Sequence, residues 1–95
     1  MIVVQNHIPV DPSMASDFEG RFANTNENLK HRKGFVKNEI LRPIKGDSYI
    51  VLTYWETMED FKAWTESDDF RKAHARKPSP GMITGENFLT IHEVV

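Results

Sequence analysis

The sequence predicts one α+β domain of ferredoxin-like βαββαβ order, and three observations predict it. Four short runs rich in Val, Ile, Tyr and Trp alternate with segments that open on helix caps. Two of those runs, FVKNEILRP and SYIVLTYWE, are joined by the short loop IKGDS, a hairpin signal. The order strand, helix, strand, strand, broken helix, strand is that of an antiparallel sheet with helices to one side.

Residues 2–8, IVVQNHI, form the first β-rich run, ended by Pro9. Asp11-Pro12 starts a helix, with Asp11 as N-cap and Pro12 in the first turn. Met14, Phe18, Phe22 and Leu29 recur at roughly helical spacing, which predicts a helix through about Lys30. Gly20 inside it costs about 1 kcal/mol against Ala and suggests close packing on a strand, or room for a flat ligand. Gly34 closes the connection to the hairpin, strands at 35–43 and 48–56. Thr57 then caps a second helix with acids in its first turn, and Ser67-Asp68-Asp69 is a further capping cluster that breaks it. KPSPG at 77–81 stops helical structure, and 87–95, NFLTIHEVV, forms the last strand. The hairpin's second strand, YIVLTYW, is apolar on both alternating faces, whereas a two-layer monomer leaves one sheet face polar. A sheet-to-sheet homodimer is the simplest cover for the second face.

Composition excludes several function classes. A single 95-residue domain, 1–95, buries little more than about 60% of its unfolded surface, so its core is small. Net charge is −2 with acids and bases interspersed, so no basic stripe points to nucleic acid. No apolar run approaches the roughly 20 residues of a membrane span, and MIVVQNHIPVDP does not resemble a secretion signal, so the chain reads as cytoplasmic. The chain contains no cysteine, which removes disulfides, thiolate catalysis and cysteine-ligated metal centres together.

Strand alternation puts Ile2, Val4, Asn6 and Ile8 on one face and Val3, Gln5 and His7 on the other. Asn6 thus sits among aliphatic residues, where an unpartnered amide costs about 1–3 kcal/mol. It either bonds to neighbouring backbone or offers a donor to a ligand in an apolar cavity. Phe61 and Trp64 share a helix face, as do Phe70, Ala73 and His74. On one continuous helix Trp64 and His74 would stand about 15 Å apart axially and about 80° apart around it. A bend at Ser67 lets both line a single concavity. Taken alone, His74 fits a helix C-terminus, where the macrodipole favours cations and Arg76 and Lys77 follow. Trp64 taken alone fits a core. His31 and His92 lack ligand spacing, and no HExxH, glycine phosphate loop or Ser-His-Asp arrangement is present. A lone histidine makes a poor zinc site but suffices as the protein ligand of a haem iron.

Asn6, RFA at 21–23, GF at 34–35, LRPIKG at 41–46, YWETMEDFKAW at 54–64, DDFRKAH at 68–74 and the closing TGENFLTIHEVV span nearly the whole chain. In these motifs the chain resembles the IsdG-type and mycobacterial haem-degrading monooxygenases of the antibiotic biosynthesis monooxygenase (ABM) superfamily. The resemblance implies a dimeric α+β barrel in which each subunit holds one haem as both substrate and cofactor. It implies His74 as proximal ligand of the haem iron and Asn6 as distal hydrogen-bond donor to bound oxygen. Trp64 would press the porphyrin out of plane, Phe22 would pack beside it, and Arg76, with Lys77, would meet the propionates. It further implies use of O2, electrons from an external donor such as an unidentified reductase, and release of iron. After RFA this chain reads Asn24-Thr25 where some relatives place a basic residue, a difference that bears on haem orientation. Two other readings use the same residues. One is a cofactor-independent monooxygenase of quinol or polycyclic aromatic substrates; the other is a non-catalytic haem-binding or trafficking dimer.

Overall fold

The first strand of the computed structural model, which describes all 95 residues, is β1 at Ile2–Pro9. A 3-10 turn at Pro12–Met14 and two short helices follow, α1 at Ala15–Gly20 and α2 at Thr25–Leu29. The hairpin β2 (Phe35–Leu41) and β3 (Ser48–Trp55) precedes α3 (Met58–Thr65), α4 (Asp68–Ala75) and β4 (Phe88–Glu93). All pairings are antiparallel in the order β2-β3-β1-β4, the ferredoxin-like sheet expected from the element order. No helix is long and apolar enough to cross a membrane.

Side-chain caps explain why the helices start where they do. Asp11 Oδ1 accepts from the Ser13 N–H at 2.9 Å, and Thr57 Oγ1 from the Asp60 N–H at 3.1 Å. Ser67 Oγ accepts from the Phe70 N–H at 3.2 Å and donates to the Trp64 carbonyl at 2.6 Å, so one hydroxyl closes α3 and opens α4. Such caps are each worth about 1 kcal/mol. Gly34, at φ +80°, lies against the Asp60 side chain so closely that any Cβ would collide with it.

The first helical segment differs from the expectation of one helix to Lys30. α1 ends at Gly20, residues 21–24 form turns, and α2 is a separate helix. The close packing on a strand expected at Gly20 is absent, since a Cβ there would meet nothing within 4 Å and the residue is exposed. Its low helix propensity simply lets the helix end there. β2 stops at Leu41 rather than Pro43, whose ring removes a ladder donor, and a register shift falls between Phe35 and Lys37.

The core is small, with 12 of 95 residues buried, and it is divided. Val10, Phe18, Tyr49 and Met82 pack at one end of the helix-covered face, with Ile8, Phe22 and Val51 against them. Val4, Trp55 and Phe61 pack at the other end, joined by Trp64. Alternation puts Val3 and Leu52 on the opposite sheet face; both are buried, while Leu41 and Phe88 flanking them are 46% and 58% exposed.

α1 is tied to the hairpin by Glu19, whose carboxylate accepts from Arg42 Nε at 2.7 Å and from the Tyr49 hydroxyl. The Arg42 hydrogen bond, then that of Tyr49, holds this carboxyl at about 2, well below its ordinary 4.5. A depressed carboxyl contributes stability that is whole above its unfolded value and lost as pH falls toward its folded one. The melting advantage of the native chain over Glu19→Gln is therefore expected to shrink between pH 4.5 and about 2. Thermal melts across that range check it; a gap that stays constant would remove Glu19 from the acid response.

Candidate functional site

Between the two core clusters the helix layer does not close on the sheet, leaving a cavity of about 330 Å³. Ile8, Phe22 and Val51 wall it from one cluster and Trp64 from the other. Its floor is polar where the surrounding face is apolar. Asn6 sits opposite Val51 in the ladder, and the buried pair Asn38 and Thr53 lies in the next row. A cavity of this size, mostly apolar with a few convergent polar groups, has the character of a small-molecule site.

The break at Ser67 places α4 against α3 so that the rings of Trp64 and His74 come within 6.2 Å, edge to face. One straight helix would have kept them about 15 Å apart along its axis. Phe70 fills the corner, stacked on His74 at 3.9 Å and meeting Trp64 edge-on at 4.8 Å. His74 Nδ1 lies 2.9 Å from the Phe70 carbonyl oxygen. A carbonyl only accepts, so Nδ1 carries the proton, and Nε2 is the nitrogen left without a protein partner. Trp64 is backed by Trp55, stacked at 5.4 Å and fully buried, so it has no room to retreat into the core.

Asn6, Phe22, Trp64, His74 and Arg76 all line this one cavity. Asn6 does not spend its side chain on neighbouring backbone; its Oδ1 accepts from Asn87 Nδ2 at 3.1 Å. Lys77 is not in the lining. Its carbonyl is held by Arg21, which also reaches Ser79 Oγ at 3.3 Å and itself lines the cavity. An adjoining hollow of about 600 Å³ shares Arg21, Thr25, Trp64 and Arg76 and adds Lys72, so its rim is basic.

Arg21, Asn38 and Asn87 escape the sequence reading for different reasons. Asn38 carries the same signal as Asn6, an amide alternating with Ile40 on an apolar strand face, but the register shift beside it obscures the count. Its Nδ2 donates to the Leu52 carbonyl at 2.8 Å. Arg21 and Asn87 act through contacts 56 and 81 positions away, which no local pattern carries.

The donor set fits haem in three respects. It offers one imidazole whose Nε2 has no protein partner, aromatic walls for a flat ring, and the guanidinium groups of Arg21 and Arg76 to pair with carboxylates.

Residues 1–76 match the antibiotic biosynthesis monooxygenase family. The chain is 33% identical over 95 residues to a Mycobacterium tuberculosis protein named heme oxygenase (mycobilin-producing), covering 99% of this chain and 90% of that one. It is 36% identical over 80 residues to a Staphylococcus haemolyticus heme oxygenase (staphylobilin-producing), covering 81% and 76%. A solved structure of the M. tuberculosis heme-degrader MhuD, with two hemes bound in its active site, superposes with a TM-score of 0.81 at 34% identity. That superposition covers 100% of this chain and 96% of the other.

Proposed function

The chain belongs to the antibiotic biosynthesis monooxygenase family, and on that premise we propose that it is a haem-degrading monooxygenase. The single observation that carries this reading is the cavity where His74, its Nδ1 already engaged, meets Trp64 and Asn6. Relatives named as heme oxygenases, matched over 99% and 81% of this chain, support it.

Haem bound here supplies the iron at which dioxygen is reduced and the porphyrin edge that is oxidised. His74 offers Nε2 to that iron, and its bond to the Phe70 carbonyl fixes the ring plane and raises its basicity. Asn6 would offer an amide N–H from the sheet floor to negative charge on a group bound in the cavity. Trp64, braced by Trp55, would pack against one face of the ring and could not retreat from it into the core. Phe22 would pack against the ring, and Arg21 and Arg76 would pair with its carboxylates. An external donor, a reductase protein, would deliver the electrons. A homodimer completes the assembly, with a second copy covering the sheet face that carries Val3, Leu52, Leu41 and Phe88. Sedimentation should give twice the chain mass; a single-chain mass would remove the dimer.

The deciding experiment mixes the purified protein with hemin, adds ascorbate in air and follows the spectrum with a ferrous chelator present. Loss of the Soret band with stoichiometric ferrous iron is the expected result. Stable binding without spectral loss would leave a haem carrier, and oxidation of a phenol without haem would leave a cofactor-independent enzyme. Trp64→Ala is expected to bind hemin yet degrade it about tenfold more slowly or worse, the equivalent of roughly 1.4 kcal/mol of lost strain. Resonance Raman lines for out-of-plane distortion should weaken in the same variant, and unchanged lines would deny Trp64 its bending role.

A further inference from the structure

We propose that Asn87 is a positioning residue that decides which end of the Asn6 amide faces the cavity, an inference that rests on the haem reading above. An asparagine side chain has two ends of nearly equal shape and opposite polarity. One donates and the other accepts. Whether Asn6 helps or opposes charge developing on a bound ligand therefore depends on what holds its far end.

That holder is Asn87. In the ladder between β1 and β4, Asn6 stands opposite Leu89, so residue 87 lies diagonally across on the same sheet face. Its Nδ2 donates to Asn6 Oδ1 at 3.1 Å. With the oxygen engaged there, the NH2 end is the one left to meet a ligand. The other nearest positions on that face of β1, Val4 and Ile8, have no polar side-chain atom to compete. Asn87 is itself exposed and does not line the cavity, so its effect passes through Asn6. The hydrogen bond favours this flip of Asn6 while Asn87 presents its Nδ2, the orientation the structure shows.

The bias has a sign, and that separates orientation from packing. Asn87→Ala removes the donor and lets the amide sample both flips. Asn87→Asp, nearly the same shape, replaces the donor by a carboxylate that accepts from the Asn6 NH2. It draws that end away and turns the oxygen toward the cavity. A packing role would make Asp the milder change, and an orienting role makes it the more severe.

The test is the C–O stretching frequency of the ferrous hemin–carbon monoxide complex, which falls when a donor faces the bound molecule and rises when an acceptor does. Asn6→Ala is expected to raise it, Asn87→Ala to raise it part of the way, and Asn87→Asp to raise it at least as far as Asn6→Ala. Hemin affinity should stay within about twofold in both Asn87 variants, since Asn87 is outside the cavity, and that binding also certifies the fold. If Asn6→Ala raises the frequency while both Asn87 variants keep the native value, the positioning role is overturned and the haem reading stands. A native frequency in Asn6→Ala would overturn the distal placement of Asn6, and the role of Asn87 with it.

Discussion

Replacing His74 by alanine is expected to abolish the Soret signature of a histidine-ligated hemin complex and to lower hemin affinity by more than about 100-fold. Loss of an outer-shell partner of a metal ligand already costs roughly 10–100-fold, and here the ligand itself goes. Aromatic walls and carboxylate pairing at the mouth remain in the variant, so weak, spectrally altered association is the expected residue of binding. The apo fold should barely notice. His74 is exposed on α4, and its N-terminal cap at Ser67 is untouched; exposed substitutions are usually within about 0.5 kcal/mol of neutral. Added imidazole should restore the band by occupying the vacated space. Titration of the variant with hemin, alone and with imidazole, checks all of this. An unchanged spectrum and affinity would mean that His74 is the helix-terminal decoration its sequence position first suggests.

The fold was legible because its signals are local. Asp11, Thr57 and Ser67 each cap a neighbour two or three residues away, and the alternation of β1 puts Val4, Asn6 and Ile8 together on the helix-covered face. The hairpin loop and the two apolar faces of β3 similarly declare themselves within ten residues. What went unread depends on distance along the chain. α1 and α2 share one apolar spacing, and only the loss of helical geometry after Gly20 separates them. The polar floor needs three strands in register, and the hold of Asn87 on Asn6 needs the ends of the chain brought together. The bend at Ser67 lies between these extremes. Its cap is local, but its consequence, Trp64 beside His74, is tertiary.

Asn6→Ala should leave hemin bound, with native affinity within a few-fold, while ring opening slows by about 100- to 1,000-fold. That range is typical when one preorganised donor to developing charge is removed. Binding survives because the coordinating imidazole, the aromatic walls and the basic mouth are untouched. Turnover fails because the floor has no ready amide substitute: Asn38, its other amide, has its Nδ2 committed to the Leu52 carbonyl. Asn6→Asp sharpens the case, since it keeps the volume but places a carboxylate where negative charge must form. It should be at least as slow as the alanine variant. Single-turnover decay of the Soret band under saturating hemin and reductant isolates this step from binding. If both variants decay within about twofold of the native rate, charge stabilisation from the sheet floor contributes nothing to the reaction. The rate would then have to come from ring distortion by Trp64 alone.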